Sequence, residues 1–480
     1  MWMWKIADTR AMWFLNTPLL IVGLMLLVAT GLDWDADLTW HDQHRIGQLA
    51  LLGAVALGAL SFWRNSFAGA LEHLPRWAVV ALTCAFGLGL ASAANASYPR
   101  FAALEWATLL LLLGLALLLG MQSRQAGAFD KWANRLVVSL AVVIALKIMT
   151  GYLAAMIAMG RLDTLMLFEG TFSNRRFFGQ VASMIVPLLA YPLLRGGLSR
   201  LARVALFGLL AVWWMLVIVS ATRGTWVALL LASVLLAAWA GRAVRPWLTL
   251  QLGAFALGGL LFGVLFVWLP QLVGHAASIE NRLVDLSALN GRDTLWAIAW
   301  AQIQAHPWLG IGPMHLASIR NPFGAHPHSA VLQLAAEWGV PAALALILPA
   351  TAGILSMLAR LRRNRAAPDV LSICLTGSLL AAAAQSLVDG VIVIPFTQTL
   401  LALVAGWALG VVWRGTAAVP VAADSRLIRV AIPGLSVLAL AALLHGAFPE
   451  VLNRAQITQA YVDAGHVLVP PRYWALGWIP

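Results

Sequence analysis

Apolar residues run along this chain in blocks and do not alternate with polar ones. The blocks are roughly 17–25 residues long, the length that carries an α-helix across a bilayer. They fall at residues 14–32, 45–63, 77–95, 101–121, 136–156, 179–195, 203–221, 226–241, 248–269, 329–357, 369–391, 393–413 and 428–447. The pattern predicts an all-α fold, a polytopic transmembrane helix bundle of about 12–13 spans. The first block, Phe14–Trp34, is too long for a removed signal peptide and lacks its small-residue cleavage site, so it reads as the first span. The blocks divide the chain into spans 1–9 (1–269), a large loop (270–328), spans 10–13 (329–447) and a tail (448–480). Within the loop, Trp296, Ala299, Trp300 and Ile303 recur at helical spacing and Pro307 closes the run. That predicts an amphipathic helix lying along the membrane surface.

Composition sharpens this picture. With 61% hydrophobic and 10% charged residues, an ordinary soluble domain is excluded. The formal net charge of +12 belongs to orientation, because most Lys and Arg residues fall in one set of loops, from Lys5 and Arg10 through Arg360–Arg365 to Arg426. The positive-inside rule makes that side, and the N-terminus, cytoplasmic. In a Gram-negative bacterium the protein is then expected in the inner membrane, with the 270–328 loop and the tail facing the periplasm. No aromatic-interleaved basic patch points to nucleic acid. The two cysteines, Cys84 and Cys374, lie inside apolar blocks, which rules out a disulfide framework or a cysteine metal site. Arg175, Arg176, Arg223, Arg282, Arg292 and Arg320 oppose the charge bias and need another explanation.

Candidate chemistry gathers on the periplasmic side. His328 precedes Ser329, a residue suited to capping the following helix. The dipole of that helix disfavours an imidazolium, and a neutral imidazole suits a general base. The alternative is an interfacial histidine bonded to a loop carbonyl. His326 completes a His-x-His pair, but a zinc site needs a third ligand, and none stands at a recognisable spacing; no metal is expected. Glu337, with Gln333 one turn above it, either pairs with a neighbouring helix or lines a site. Arg223, in a tight turn between two apolar blocks, and Arg292, opening the surface helix, suit phosphate oxygens; lipid anchoring and a local pair with Asp293 are the alternatives. Arg175 and Arg176 stand before Phe177 and Phe178, where they suit a lipid phosphate or plain anchoring. Asp389 is placed to orient a histidine, bind a sugar hydroxyl or cap a loop. Lys147 and Glu105, both inside spans, are expected to pair. The chain has no glycine-rich phosphate loop, no Asp-x-Asp pair and no Gly-x-Ser-x-Gly elbow.

These residues fall in a recognisable order. "HSAVLQLAAEWGV" resembles the His-Asn-x-x-Leu-x-x-Leu-x-Glu-x-Gly signature of the O-antigen ligase and polymerase superfamily. His328, Leu332, Glu337 and Gly339 match, while Ser329 and Ala335 depart from it. "ATRGTW" resembles its Arg-Gly turn, and "GRDTLWAIAWAQIQAHPWLGIGP" its Arg…Trp…His-Pro…Gly-x-Gly segment. "GTFSNRRFFG" is similar to its Gly-x-Phe-x-Asn-x-Asn block, with Arg176 in the second Asn position. The resemblance runs from about Gly170 to Asp389. It implies a glycosyltransferase that needs no nucleotide-sugar, metal or other cofactor. The implied donor is a glycan on undecaprenyl pyrophosphate, and the implied acceptor is lipid A–core, with membrane lipids around both. His328 would be the base, with Arg223 and Arg292 on the pyrophosphate and Arg175 or Arg176, His326, Glu337 and Asp389 near substrate. An O-antigen polymerase and a protein O-oligosaccharyltransferase belong to the same superfamily. A lipid flippase is the reading from a different class.

Overall fold

The computed structural model describes residues 17–28, 38–125, 127–159, 161–164, 166–278, 291–364, 366, 369–416, 425–463 and 471–479. Parts of the first expected span, of the 270–328 loop (Arg282 included) and of the tail lie outside these residues. Among the described residues, regular structure is helical apart from one short parallel pairing, Arg161–Asp163 (β1) with Ala276–Ser278 (β2). Apolar block length carries no signal for such a pair.

The first helices are α1 (Thr17–Val28), α2 (Trp40–Leu60) and α3 (Arg64–His73). α2 and α3 form one apolar run bent by 90°. The Trp63 ring fills the space where Gly58 would carry a Cβ, and the Trp63 backbone N–H donates to the Gly58 carbonyl at 2.8 Å. Then come α4 (Arg76–Asn95), α5 (Pro99–Arg124), α6 (Ala128–Ala154), the short α7 (Met166–Phe172) and α8 (Arg175–Arg195). α9 (Arg200–Ser220), α10 (Arg223–Ala240), α11 (Arg245–Phe262) and the single turn α12 (Leu269–Leu272) follow. The loop holds α13 (Arg292–Ala305). The chain continues with α14 (Ala330–Trp338), α15 (Val340–Arg363), α16 (Val370–Ser386), α17 (Pro395–Trp413), α18 (Ser425–Leu452) and α19 (Arg454–Asp463).

Among the described residues, 9 helices are long and apolar enough to cross a membrane, or 10 if the bent pair is one span. The protein is an all-α, multi-pass helix bundle. The expected number is larger for two physical reasons. α1 and α16 are apolar but shorter than a full span, and Arg223–Leu272 counts once although it is 50 residues long. Straight, that run would reach about 75 Å, against a bilayer core of about 30 Å. The turn at Gly241–Val244 breaks it, and its halves pack on different partners, α10 on α16 and α11 on α9.

The centre of the bundle is built from close helix approaches. α17 lies along α5 with Gly406 and Gly410 facing it; a Cβ on either would stand 2.6 Å from the carbonyl oxygen of Ala116 or Gly120. Small residues four apart permit this spacing in lipid, where dispersion contacts supply the attraction.

One expected element is corrected. Residues 329–357 are not a single span, because Gly339 (φ 84°) separates α14 from α15, and only α15 has span length. The Trp308 carbonyl occupies the place of a Gly339 Cβ. Gly339→Ala is therefore expected to cost about 1–3 kcal/mol, from backbone strain and the displaced loop. Thermal unfolding in detergent measures it, and a variant as stable as the parent would show that this approach does not hold the break.

Candidate active site

The loop before α14 grips the C-terminal end of that helix. Ile311 and Gly312 donate their N–H groups to the carbonyls of Ala336 and Glu337 at 3.0 and 2.9 Å. These are acceptors that a helix end leaves open. Gly310 (φ 67°) permits the approach, since its Cβ would lie 2.5 Å from the Glu337 backbone. His315 is a loop fastener. Its Nδ1 bonds the Pro313 carbonyl at 2.9 Å, and its Nε2 accepts the Tyr98 N–H at 2.9 Å. The Asn321 side chain accepts from the N–H groups of Phe323 and Gly324, closing a turn. Trp296 of α13 donates its indole N–H to the Pro327 carbonyl at 2.9 Å, beside His328. The buried face of α13 is Leu295, Ala299 and Ile303, and Trp300 is 56% exposed.

His328 is buried and sits at φ 51°, a left-handed conformation that non-glycine residues seldom adopt. Its N–H donates to His326 Nδ1 at 3.2 Å, so His326 carries its own proton on Nε2. The His326 ring lies against Gly390, where no Cβ would fit. Ser329 occupies the N-cap position of α14, yet its side chain makes no capping bond. His328 Nδ1 faces Asp389 Oδ1 at 3.8 Å. That is too long for a formed hydrogen bond but within reach of charge attraction. Burial lowers the His328 pKa, Asp389 opposes it, and Arg176 and Arg292 lower it further, leaving it below 6.5. The main cause of a neutral imidazole is thus burial. With an anion facing Nδ1, the proton belongs there, and Nε2 is the free acceptor.

Asp389 stands in the turn after α16. Gln180 of α8 donates to its Oδ1 at 3.0 Å and the Gly390 N–H at 2.8 Å, while Gln385 approaches the other oxygen at 3.4 Å. Burial pushes the carboxyl up, but the facing His328, the Gly390 N–H and Arg176 outweigh it and hold it below its ordinary value. Burial, reinforced by His328 and by arginines including Arg176, drives the His326 pKa well down.

Three helix N-termini bring arginines to this end of the bundle. Asn174 caps α8 by accepting the Arg176 N–H at 2.8 Å. Arg175 is buried and Arg176 half-buried, and the charge of Arg176 reaches His326, His328 and Asp389. Arg292 opens α13 and its charge reaches His328. Arg223 opens α10 after Ala221, itself left-handed at φ 47°. Thr222 donates to Thr225 at 3.1 Å, and Gln385 donates to Thr225 at 3.1 Å. One glutamine therefore ties the Arg-Gly turn to Asp389.

Glu337 points into a different network. Arg472, in the tail, places Nη2 2.6 Å from Glu337 and 2.7 Å from both oxygens of Glu105. The Leu316 N–H adds a bond to Glu337 at 3.1 Å. With its amide oriented by these neighbours, Gln333 accepts from Arg472 at 2.9 Å. Glu105 thus takes Arg472 as partner where the spans pointed to Lys147. The polar run at the start of α2 belongs to the same framework. His41 and Arg45 donate to the Tyr473 carbonyl at 2.9 Å, Arg45 reaches the Val393 carbonyl at 2.7 Å, and Asp42 accepts the Ala475 N–H at 2.8 Å. "WHDQHR" was a legible signal, since buried polar residues at a span mouth demand partners; "PPRYW" offers none locally. Among the described residues, no group of three His, Cys, Asp or Glu is arranged to hold a metal ion.

Residues 206–347 match the family model described as O-antigen ligase. The match covers less than a third of the chain, and this segment is similar to that family. Comparison with curated proteins found no match. The matched segment carries Arg223, Arg292, His326, His328 and Glu337; Arg175, Arg176, Asp389 and Arg472 lie outside it. Members of this superfamily are membrane glycosyltransferase-like enzymes, and the family implies a lipid-linked glycan donor and a lipid acceptor.

Proposed function

We propose that this protein belongs to the O-antigen ligase/polymerase superfamily and is a lipopolysaccharide O-antigen ligase, working at the periplasmic face of the inner membrane. It would transfer a glycan from undecaprenyl pyrophosphate to a sugar hydroxyl of lipid A–core. The observation that carries this is the buried His328–Asp389 pair at 3.8 Å, with the charges of Arg176 and Arg292 reaching it. In the reaction, the acceptor hydroxyl gives its proton to His328 Nε2 as its oxygen bonds the anomeric carbon. The bond from that carbon to the pyrophosphate oxygen breaks, and the electron pair leaves with undecaprenyl pyrophosphate. One displacement inverts the centre. Arg292 and Arg223 stabilise charge growing on the leaving group, while Asp389 holds the imidazole and the cation it becomes.

The test is reconstitution of the purified protein with undecaprenyl-pyrophosphate glycan and lipid A–core, with EDTA present, followed by gel shift of the acceptor. A shifted product supports the reading. Longer glycans left on the carrier would make the protein a polymerase, and transfer only to a pilin-like protein would make it a protein glycosyltransferase. Arg292→Ala is expected to lower kcat/KM for the donor by about 10²–10³-fold, with Arg292→Lys restoring little of it, because the planar fork and not the charge alone fits phosphate oxygens. Equal activity of the lysine and arginine forms would sink the phosphate role.

A further inference from the structure

A cavity of about 220 Å³ lies between the tail, α19 and the loop that leads to His328. Aromatic rings dominate its wall: Phe101, Tyr461, Tyr473, Trp474 and Trp478. The Trp474 side chain is buried and its indole N–H makes no hydrogen bond; Glu450 faces it without closing one. The charges at the wall already have partners. Arg100 and Arg454 hold Glu450 at 2.6 and 3.4 Å, Arg454 also stands 3.6 Å from Asp42, and Arg320 lies over the Trp478 ring.

This lining selects one ligand chemistry. A carboxylate in the wall disfavours an anion, and the arginines around it disfavour a cation. A buried N–H donor opposite a carboxylate acceptor fits a hydroxyl, which accepts from one and donates to the other. Arginines lie over one face of the Phe101, Tyr473, Trp474 and Trp478 rings, and an aromatic face left toward the cavity fits the apolar C–H face of a pyranose ring. The volume is below the roughly 300–1,000 Å³ of pockets for larger ligands, which suits a single ring.

We infer that this cavity is a carbohydrate subsite that binds one sugar ring of the acceptor saccharide, with Trp474 and Glu450 sharing one of its hydroxyls. Its position supports a link to the transfer site. The Tyr473 carbonyl in its wall is held by Arg45, which also holds Val393 in the turn that carries Asp389. Arg320 in the wall is in the same loop as His328. Assignment to the acceptor rests on the ligase reading; binding of a sugar ring does not.

Saturation-transfer NMR on the detergent-solubilised full chain tests the inference, with methyl glycosides of glucose, galactose and N-acetylglucosamine and a lipid-free core oligosaccharide as probes. Trp474→Phe keeps the ring and removes the N–H, and Tyr461→Ala removes a half-buried face from the rim. Both are expected to weaken saccharide binding about tenfold, and to raise the acceptor KM by a similar factor with much less effect on kcat. His328→Asn should bind saccharide like the parent while transferring nothing. No saturation transfer to any probe, or unchanged binding in both variants, would overturn the subsite. A parent protein that binds saccharide but transfers no glycan would overturn the ligase reading and leave the subsite standing.

Discussion

His328→Asn is expected to abolish glycan transfer, by about 10²–10⁴-fold in kcat/KM, while leaving the unfolding temperature close to that of the parent. Asparagine is the informative replacement because it tolerates a left-handed backbone far better than alanine, and His328 sits at φ 51°. It relieves strain, keeps a polar side chain and cannot take a proton. A purely structural histidine would give the reverse pattern, with stability lost and activity largely kept. The pH profile adds a second readout. The base must be neutral, and burial, Arg176 and Arg292 hold its pKa below 6.5 against the opposing pull of Asp389. Activity is therefore flat at neutral pH and falls as pH drops through that lowered value. Asp389→Asn removes the group that raises it, so the acid limb moves to lower pH, with a reduced plateau because the ring loses its orienting anion. Arg176→Gln removes a cation that lowers it, so the limb moves to higher pH. Limbs that stay fixed in both variants would show that His328 is not the titrating base.

The largest stability effect belongs to Arg472. Arg472→Ala leaves the carboxylates of Glu105 and Glu337 facing each other in a buried site, and is expected to cost about 3–5 kcal/mol. The side chains of Arg472, Glu105 and Glu337 are 3%, 4% and 0% exposed, so water does little to screen the loss. Thermal unfolding in detergent reads it directly. Glu337→Gln should cost much less, because the amide still accepts from Arg472 and Glu105 still balances the charge. Alanine and glutamine variants of equal stability would show that the ion cluster is not what fastens the tail to α14.

Much of the site is legible in sequence because it is local. His326, His328 and Glu337 lie within one short run, Arg175, followed by Arg176, and Arg223 open helices that apolar blocks announce, and Arg292 opens the loop helix that the Trp296–Ile303 spacing announces. What stays hidden is of two kinds. The first is a choice between competing local signals. Gly339 and Pro341 are breakers, but the apolar block around them runs on, and block length masks the break that makes α14 a separate helix. On α13, tryptophan counts as apolar in any pattern, yet Trp296 turns aside to give its N–H to Pro327 while Leu295 and Ala299 take the buried face. The second kind is long-range pairing. Arg472 meets Glu105 across 367 residues and Glu337 across 135. No spacing rule reaches that far. Gln180, which positions Asp389 from 209 residues away, is hidden for the same reason.

The buried arginine of the tail also sets an order of events during synthesis. Glu105 leaves the ribosome 367 residues ahead of the cation it holds in the folded chain. At about 5–20 residues per second, that lead is roughly 20–70 s. Throughout the interval α5 is already made while Glu105 lacks that partner, and over its last 135 residues α14 too is made while Glu337 lacks the same contact. The cluster that joins α5, α14 and the tail therefore forms late. The helices that carry its acids are made first, and the cluster closes only when residue 472 arrives and its guanidinium meets two acids made long before it.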